Sequence, residues 1–247
     1  MFDVARDLGV QGYCFRHFKN IDELIERVRA VGVRRVELGA THVNFNDEGT
    51  WEGVLGALKG AGIEISSLGV VKLRGEAQEE GWFRFAKAAG CRLIAMTFDH
   101  KALPGVIPAT EKWAEKYDVL LGIHNHGGFH WLGNLDMMSH VVRNCGPRVG
   151  VCLDTAWAMQ SGEDVMKWVE TLREKTFGMH VKDFVFDRAG RWKDVVVGTG
   201  NLPLKEVMAA AVGMPGMEAI TVEYEGDVED PVPAVRACVE AVRGKSK

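Results

Sequence analysis

The feature that most constrains the fold of this sequence is an alternation running along its whole length. A short β-branched or apolar run is followed, again and again, by a segment whose apolar residues recur at helical spacing. Parallel strands need a crossover between them, and a helix is the usual one, so the alternation specifies parallel β/α architecture. The predicted strands are 11–18, 33–39, 63–73, 92–99, 119–126, 149–157, 177–183 and 219–225. The predicted helices are 21–31, 50–60, 76–89, 110–117, 134–143, 164–175, 204–212 and 231–242. Asn20, the run Ser161-Gly162-Glu163-Asp164 and the pair Asp230-Pro231 are helix-start signals, and Gly32, Gly62 and Gly90 are stop signals.

Eight such units in 247 residues match a single-domain α/β protein of the (β/α)8 TIM-barrel type, which takes about 250 residues. An open doubly wound sheet fits less well, because no glycine fingerprint follows the first strand. The stretch 184–202 interrupts the pattern after the seventh strand. Asp187-Arg188-Ala189-Gly190-Arg191 lies between two apolar runs there and reads as a hairpin turn, expected to hang over the barrel mouth as a lid.

Composition excludes several classes. With 47% hydrophobic and 26% charged residues the chain is neither disordered nor fibrous. No apolar run is long enough to span a membrane, and the charged start Phe2-Asp3-Val4-Ala5-Arg6-Asp7 holds no signal core, so a cytoplasmic location with no membrane partner is expected. The net charge of −4 argues against a nucleic-acid surface. The five cysteines are odd in number and widely spaced, as expected of reduced, buried residues.

Strand alternation then sorts the polar residues. Val149, Val151 and Leu153 fall on one face and Gly150, Cys152 and Asp154 on the other. The same split occurs in the fifth, seventh and eighth strands. One face is apolar and meets the helices. The other becomes ionisable toward the C-terminal end: Glu37, Asp99, His124 and His126, Asp154, His180 and Lys182, Glu223 and Glu225. Barrel active sites sit at that end. Two imidazoles and two carboxylates, His124, Asp154, His180 and Glu223, are the donor set a divalent ion needs, with Mn, Zn, Co, Mg and Fe all compatible.

The ordered series Gln11-Gly12-Tyr13-Cys14-Phe15-Arg16, Val36-Glu37-Leu38, Ile123-His124-Asn125-His126, Leu153-Asp154-Thr155, His180-Val181-Lys182-Asp183, Gly198-Thr199-Gly200 and Val222-Glu223-Tyr224-Glu225 resembles the xylose isomerase-like barrel superfamily, in its sugar phosphate isomerase/epimerase branch. The resemblance covers nearly the whole chain. It implies one divalent metal, a small carbohydrate substrate such as a keto sugar, and an enzyme that can be a homo-oligomer. Asp154, His180 and Glu223 match the ligand positions of relatives. At the fifth strand many epimerases carry Glu where this chain has His124, so one of the two carboxylates that flank the substrate in those relatives is missing.

The resemblance also distributes roles. Glu223 serves as ligand and acid/base, with Glu225 as its fallback and a substrate contact. His126 is the substitute base for the opposite face. Lys182 stabilises an enolate oxygen, binds substrate, or pairs with Asp154 or a neighbouring carboxylate. Glu37 contacts substrate or the histidine ligand, and Arg16 binds substrate. His17, Asp99 and His100 are rim candidates, Trp131, Trp157 and Phe129 candidate sugar walls, and Asp183 a cap for the loop after the seventh strand. Proton removal next to a carbonyl then leads to epimerisation or isomerisation. Elimination of a β-substituent, a lyase or dehydratase outcome, needs only one proton-abstracting face and is the alternative. A metal phosphodiesterase and a non-catalytic sugar-binding barrel are further alternatives, weakened by the net charge and by the intact ligand set respectively.

Overall fold

A computed structural model describes residues 2–128 and 130–245. Its strands are β1 Gly9–Gln11, β2 Arg35–Leu38, β3 Glu64–Lys72, β4 Leu93–Thr97, β5 Leu120–His124, β6 Val149–Asp154, β7 Thr176–Val181, β8 Asp183–Phe186, β9 Trp192–Val195 and β10 Ala219–Val222. Eight of them run parallel and close into a barrel, in the order β1-β10-β7-β6-β5-β4-β3-β2 around the ring, while β8 and β9 form a separate two-stranded sheet. The α-helices are α1 Val4–Asp7, α2 Ile21–Ala30, α3 Trp51–Gly60, α4 Glu80–Ala89, α5 Val106–Tyr117, α6 Leu135–Arg143, α7 Thr155–Gln160, α8 Val165–Thr171, α9 Leu204–Ala211 and α10 Val232–Lys245. The (β/α)8 expectation holds. No helix among the described residues is long and apolar enough to cross a membrane.

The core lies where alternation places it. Ile94, Leu121, Ile123, Val151, Leu153, Val181, Ile220 and Val222 are all fully buried between strands and helices. Each such side chain contributes roughly 1.5–3 kcal/mol. Inside the ring the filling is small and interlocked. A Cβ on Gly178 would stand 2.8 Å from Leu93 and 3.1 Å from the Cys152 sulfur, so neighbouring strands occupy the space that Gly178 leaves open. The free cysteines are buried apart from the partly exposed Cys145. Caps follow the sequence signals: Asn20 accepts from Glu23 N at 2.8 Å and Asp164 from Met166 N at 2.9 Å.

Several expected boundaries need correction. The sequence predicts a first strand over 11–18, but the chain turns at once after β1 into a 3-10 helix, Gly12–Phe15. The side chain of Gln11 accepts from Tyr13 N at 2.6 Å and starts that turn, so the aromatic run that reads as strand is a turn. The short α1, capped by Asp3, precedes β1. The fourth to eighth strands of the barrel end two or three residues earlier than expected. After β6 the chain enters α7, with Asp154 as its cap. The helix expected over 164–175 is α8 followed by a 3-10 turn, Arg173–Lys175.

The excursion after β7 is a hairpin, β8 paired antiparallel with β9. Its return is fixed by Asp183, which is fully buried and accepts from Gly198 N at 2.9 Å, Gly200 N at 2.8 Å and Leu202 N at 2.9 Å. Gly200 is required there, since a Cβ would fall 2.4 Å from Asp183 Oδ1. Asp183→Ala would orphan three amides around a buried site. A loss of about 3 kcal/mol in unfolding free energy is expected, read from the denaturation midpoint.

Candidate metal centre

The ends of β5, β6 and β7 and the residue after β10 bring four donors together. One donor atom from each of His124, Asp154, His180 and Glu223 lies within 4.8 Å of the others, and all four residues are buried. Strand register does this: Asp154 sits opposite His180, and His180 opposite Thr221, two residues before Glu223. His124 Nε2 and His180 Nδ1 are 3.1 Å apart, and Asp154 Oδ2 lies 3.8 Å from His124 Nε2. Glu223 Oε2 is 2.7 Å from His180 Nδ1 yet outside hydrogen-bond geometry.

Side chains continue the ladder where the backbone stops. Asn125 donates to Asp154 O at 2.9 Å and accepts from Asp154 N at 2.8 Å. Thr155 Oγ1 donates to Lys182 O at 2.6 Å and accepts from Lys182 N at 3.0 Å. Asp154 Oδ1 is used to cap Trp157 N at 2.8 Å, so its Oδ2 is left buried with no hydrogen-bond partner, facing the imidazoles. A buried carboxylate oxygen without a partner is costly unless something positive completes it. That orphaned oxygen, and nitrogens that face one another, fit a divalent cation. Burial outweighs the nearby Lys182 ammonium and pushes the Asp154 carboxyl up to about 7. Burial, with neighbouring His126 and His180, holds His124 well below the usual imidazole range and so in its neutral, ligand-competent form.

His180 has its other nitrogen on Glu37, Nε2 to Oε1 at 3.0 Å. Glu37 also accepts from Gln11 Nε2 at 3.0 Å and Ser67 Oγ at 2.6 Å, and is only 1% exposed. Of the two partners expected for Glu37, the structure places it on the histidine and away from the cavity. A carboxylate behind a histidine fixes its tautomer and aims Nδ1 at the cluster.

A cavity of about 390 Å³ opens above the donors. His124, His126, Glu223, Glu225 and Trp157 border it, together with Gln11 at the end of β1, Tyr13 just after it, the turn Gly39–Thr41 and the irregular stretch Gly69–Val70 of β3. His126 packs 4.7 Å from the His124 ring and 5.2 Å from His130, and its Nδ1 has no hydrogen-bond partner. Burial, and then His130, push its pKa down to about 4.

Other expected site residues stand elsewhere. Lys182 is fully buried and does not border the cavity. Its Nζ is 3.1 Å from Glu223 Oε1 and 3.7 Å from Asp194 Oδ2 and also pairs with Glu225. Burial opposes its charge, but Glu223, Asp154, Glu225 and Asp194 outweigh that and hold it above the usual ammonium range. Arg16 stands at the rim, donating to Glu225 O at 2.7 Å and Tyr13 O at 3.2 Å. Asp99 is exposed and paired with Lys72 at 2.7 Å, and His17 is exposed beside Glu229. His100 is exposed. Trp131 donates to Phe98 O at 2.8 Å and does not border the cavity, whereas Trp157 does. Phe129 lies outside the described residues.

Sequence reading misses Asn125, Thr155 and Asp194 as site-building residues. Asn125 sits between two inward histidines, so alternation assigns it to the apolar face. Asp194 reaches the site only because β9 folds back, where it accepts from Glu225 N at 2.9 Å. Asn125→Ala should leave the fold intact and weaken divalent-metal binding about 10–100-fold, as losses behind a ligand do. Titration calorimetry of the purified variant checks this.

The solved structures similar to this chain include the IolI protein with a bound zinc atom, at 15% identity and TM-score 0.78 over 98% of this chain and 99% of that one. The probable 3-DHS dehydratase AsbF of Bacillus anthracis matches at 15% identity and TM-score 0.74 over 95% and 98%. The 3-keto-D-glucoside 4-epimerase YcjR of E. coli matches at 16% identity and TM-score 0.72 over 97% and 99%. At these identities the likeness is one of fold. No curated protein matches the sequence. The family model for the xylose isomerase-like TIM barrel matches residues 25–243, and the chain belongs to that family.

Proposed function

We propose that this protein is a divalent-metal-dependent isomerase or epimerase that moves a proton next to the carbonyl of a keto sugar or sugar derivative. The observation that carries the reading is the convergence of His124, Asp154, His180 and Glu223 beneath a cavity, with Asp154 Oδ2 left without a partner. A cation held by those four side chains would polarise the substrate carbonyl and lower the barrier to losing the neighbouring proton. Glu37 and Asn125 keep His180 and Asp154 in place for it.

Glu223 borders the cavity and takes the proton on one face. Lys182 holds Glu223 Oε1 and keeps this carboxylate ionised and oriented, as a positioning residue. His126 borders the cavity from the end of β5, three strand positions from β10 around the ring. Neutral at pH 7, it has a lone pair to accept or return a proton on the other face. Glu225 and Arg16 shape the rim where substrate hydroxyls enter. The hairpin serves as the mouth's cover. Trp192 packs 5.0 Å from Trp157, which borders the cavity, and Asp194 reaches the Lys182 cluster. The relatives' spread over an epimerase and a dehydratase supports β-elimination as the second reading, since the missing strand-β5 carboxylate leaves one strong base.

The test is a keto sugar incubated with metal-loaded protein in heavy water. Deuterium at one carbon, in product or recovered substrate, is expected. An unsaturated product with loss of a β-hydroxyl would select the lyase. Turnover with no solvent deuterium and no dependence on Glu223 would sink proton transfer.

A further inference from the structure

Barrels that act on phosphorylated sugars commonly cradle the phosphate with the loops after the seventh and eighth barrel strands. Here both loops are closed to an anion. After β7, the amides of Gly198, Gly200 and Leu202 converge as a phosphate cradle would, but the Asp183 carboxylate already fills them. After β10, the segment 223–230 holds Glu223, Glu225, Asp227, Glu229 and Asp230 and no cation.

The cavity has the same character. Among the described residues bordering it there is no lysine or arginine, and its two formally charged side chains are Glu223 and Glu225. The nearest buried cation, Lys182, is shared by Glu223, Glu225 and Asp194. Arg16 at the rim spends its guanidinium on two carbonyls and the Tyr13 ring. The hairpin's cations stand on exposed positions, and Arg191 is paired with Asp187. With a divalent ion in place, Asp154 and Glu223 cancel its charge, and Glu225 and Asp194 outnumber Lys182. A phosphate or carboxylate on the substrate would enter a site that is already negative and meet no donor fork of the kind such groups need.

We propose that the substrate is an uncharged keto sugar or keto-glycoside, carrying neither phosphate nor carboxylate. This inference rests on the proton-transfer reading for its chemistry, but not for its charge argument. Matched pairs test it: free 2- and 3-ketohexoses against their 6-phosphates, each with metal-loaded protein. Binding is read from the fluorescence of Trp157, with Trp157→Phe as the control that locates the signal, and exchange is read as deuterium uptake from heavy water. The free sugars are expected to bind and exchange, with the phosphates at least about 100-fold weaker in Kd and in kcat/KM, the scale of a like-charge penalty of a few kcal/mol. A phosphate that binds as tightly as its free sugar, or a panel in which no free ketose binds, overturns the inference. Free-sugar binding without exchange would instead sink the proton-transfer reading and leave the inference standing. Exchange in the phosphates alone would do the reverse.

Discussion

Glu223→Gln is expected to lower deuterium exchange into a keto sugar by about 10²–10⁴-fold, the usual contribution of a general base, even at metal concentrations that refill the site. Two effects act together. Gln cannot accept the proton, and it replaces an anionic ligand with a neutral one. Raising the metal concentration separates them, because only the ligand defect is recoverable. Glu223 also holds Lys182, so the variant leaves that ammonium to Glu225 and Asp194, which remain able to satisfy it. Folding should therefore survive, as circular dichroism would show. His126→Asn should keep full metal content and still lose about 10²-fold or more in rate if it serves the second face. A loss below about tenfold would make His126 a bystander. If Glu223→Gln turns over normally once metal is restored, with no solvent deuterium in the product, the reaction is a hydride shift.

The second large effect is expected at Asp154. Asn caps a helix as well as Asp, so Asp154→Asn keeps the bond to Trp157 N that starts α7 while removing the charge aimed at the imidazoles. Metal affinity should fall by more than the about 10–100-fold typical of residues behind the ligands. Thermal stability of the metal-free form should be unchanged or higher, because the variant no longer buries a lone carboxylate. Calorimetry for metal and scanning calorimetry for unfolding read the two separately. An Asp154→Asn protein that binds metal like the parent would remove Asp154 from the centre.

How much of the fold and the site is legible in the sequence depends on range. Alternation inside a strand is local, so the inward placement of His124, Asp154 and His180 follows from the order of residues alone. The barrel count and the hairpin turn at Asp187–Arg191 are legible for the same reason. Strand ends are not. Asp154 is the last residue of β6, where Asn125, 29 positions earlier, takes its backbone N–H and carbonyl, and no local pattern reports such a pairing. Gln11 reads as strand yet ends one by bonding Tyr13 N. Alternation turns Lys182 inward, where it reads either as a substrate or enolate contact or as an ion-pair partner of a neighbouring carboxylate, and the structure shows the ion pairs. Its burial comes from Asp194 on the returning hairpin and Glu225 after β10, both distant in sequence. Glu37 reads as a partner of either the substrate or the histidine ligand, and the closure of the ring selects His180.

The central claim is a single metal centre among four named side chains, and crystals soaked in Mn²⁺ test it most directly. An anomalous difference map should show one strong peak per chain, within bonding distance of His124, Asp154, His180 and Glu223, and no such peak in Asp154→Asn crystals. A map with no peak there, or with its strongest peak on other residues, would contradict the account.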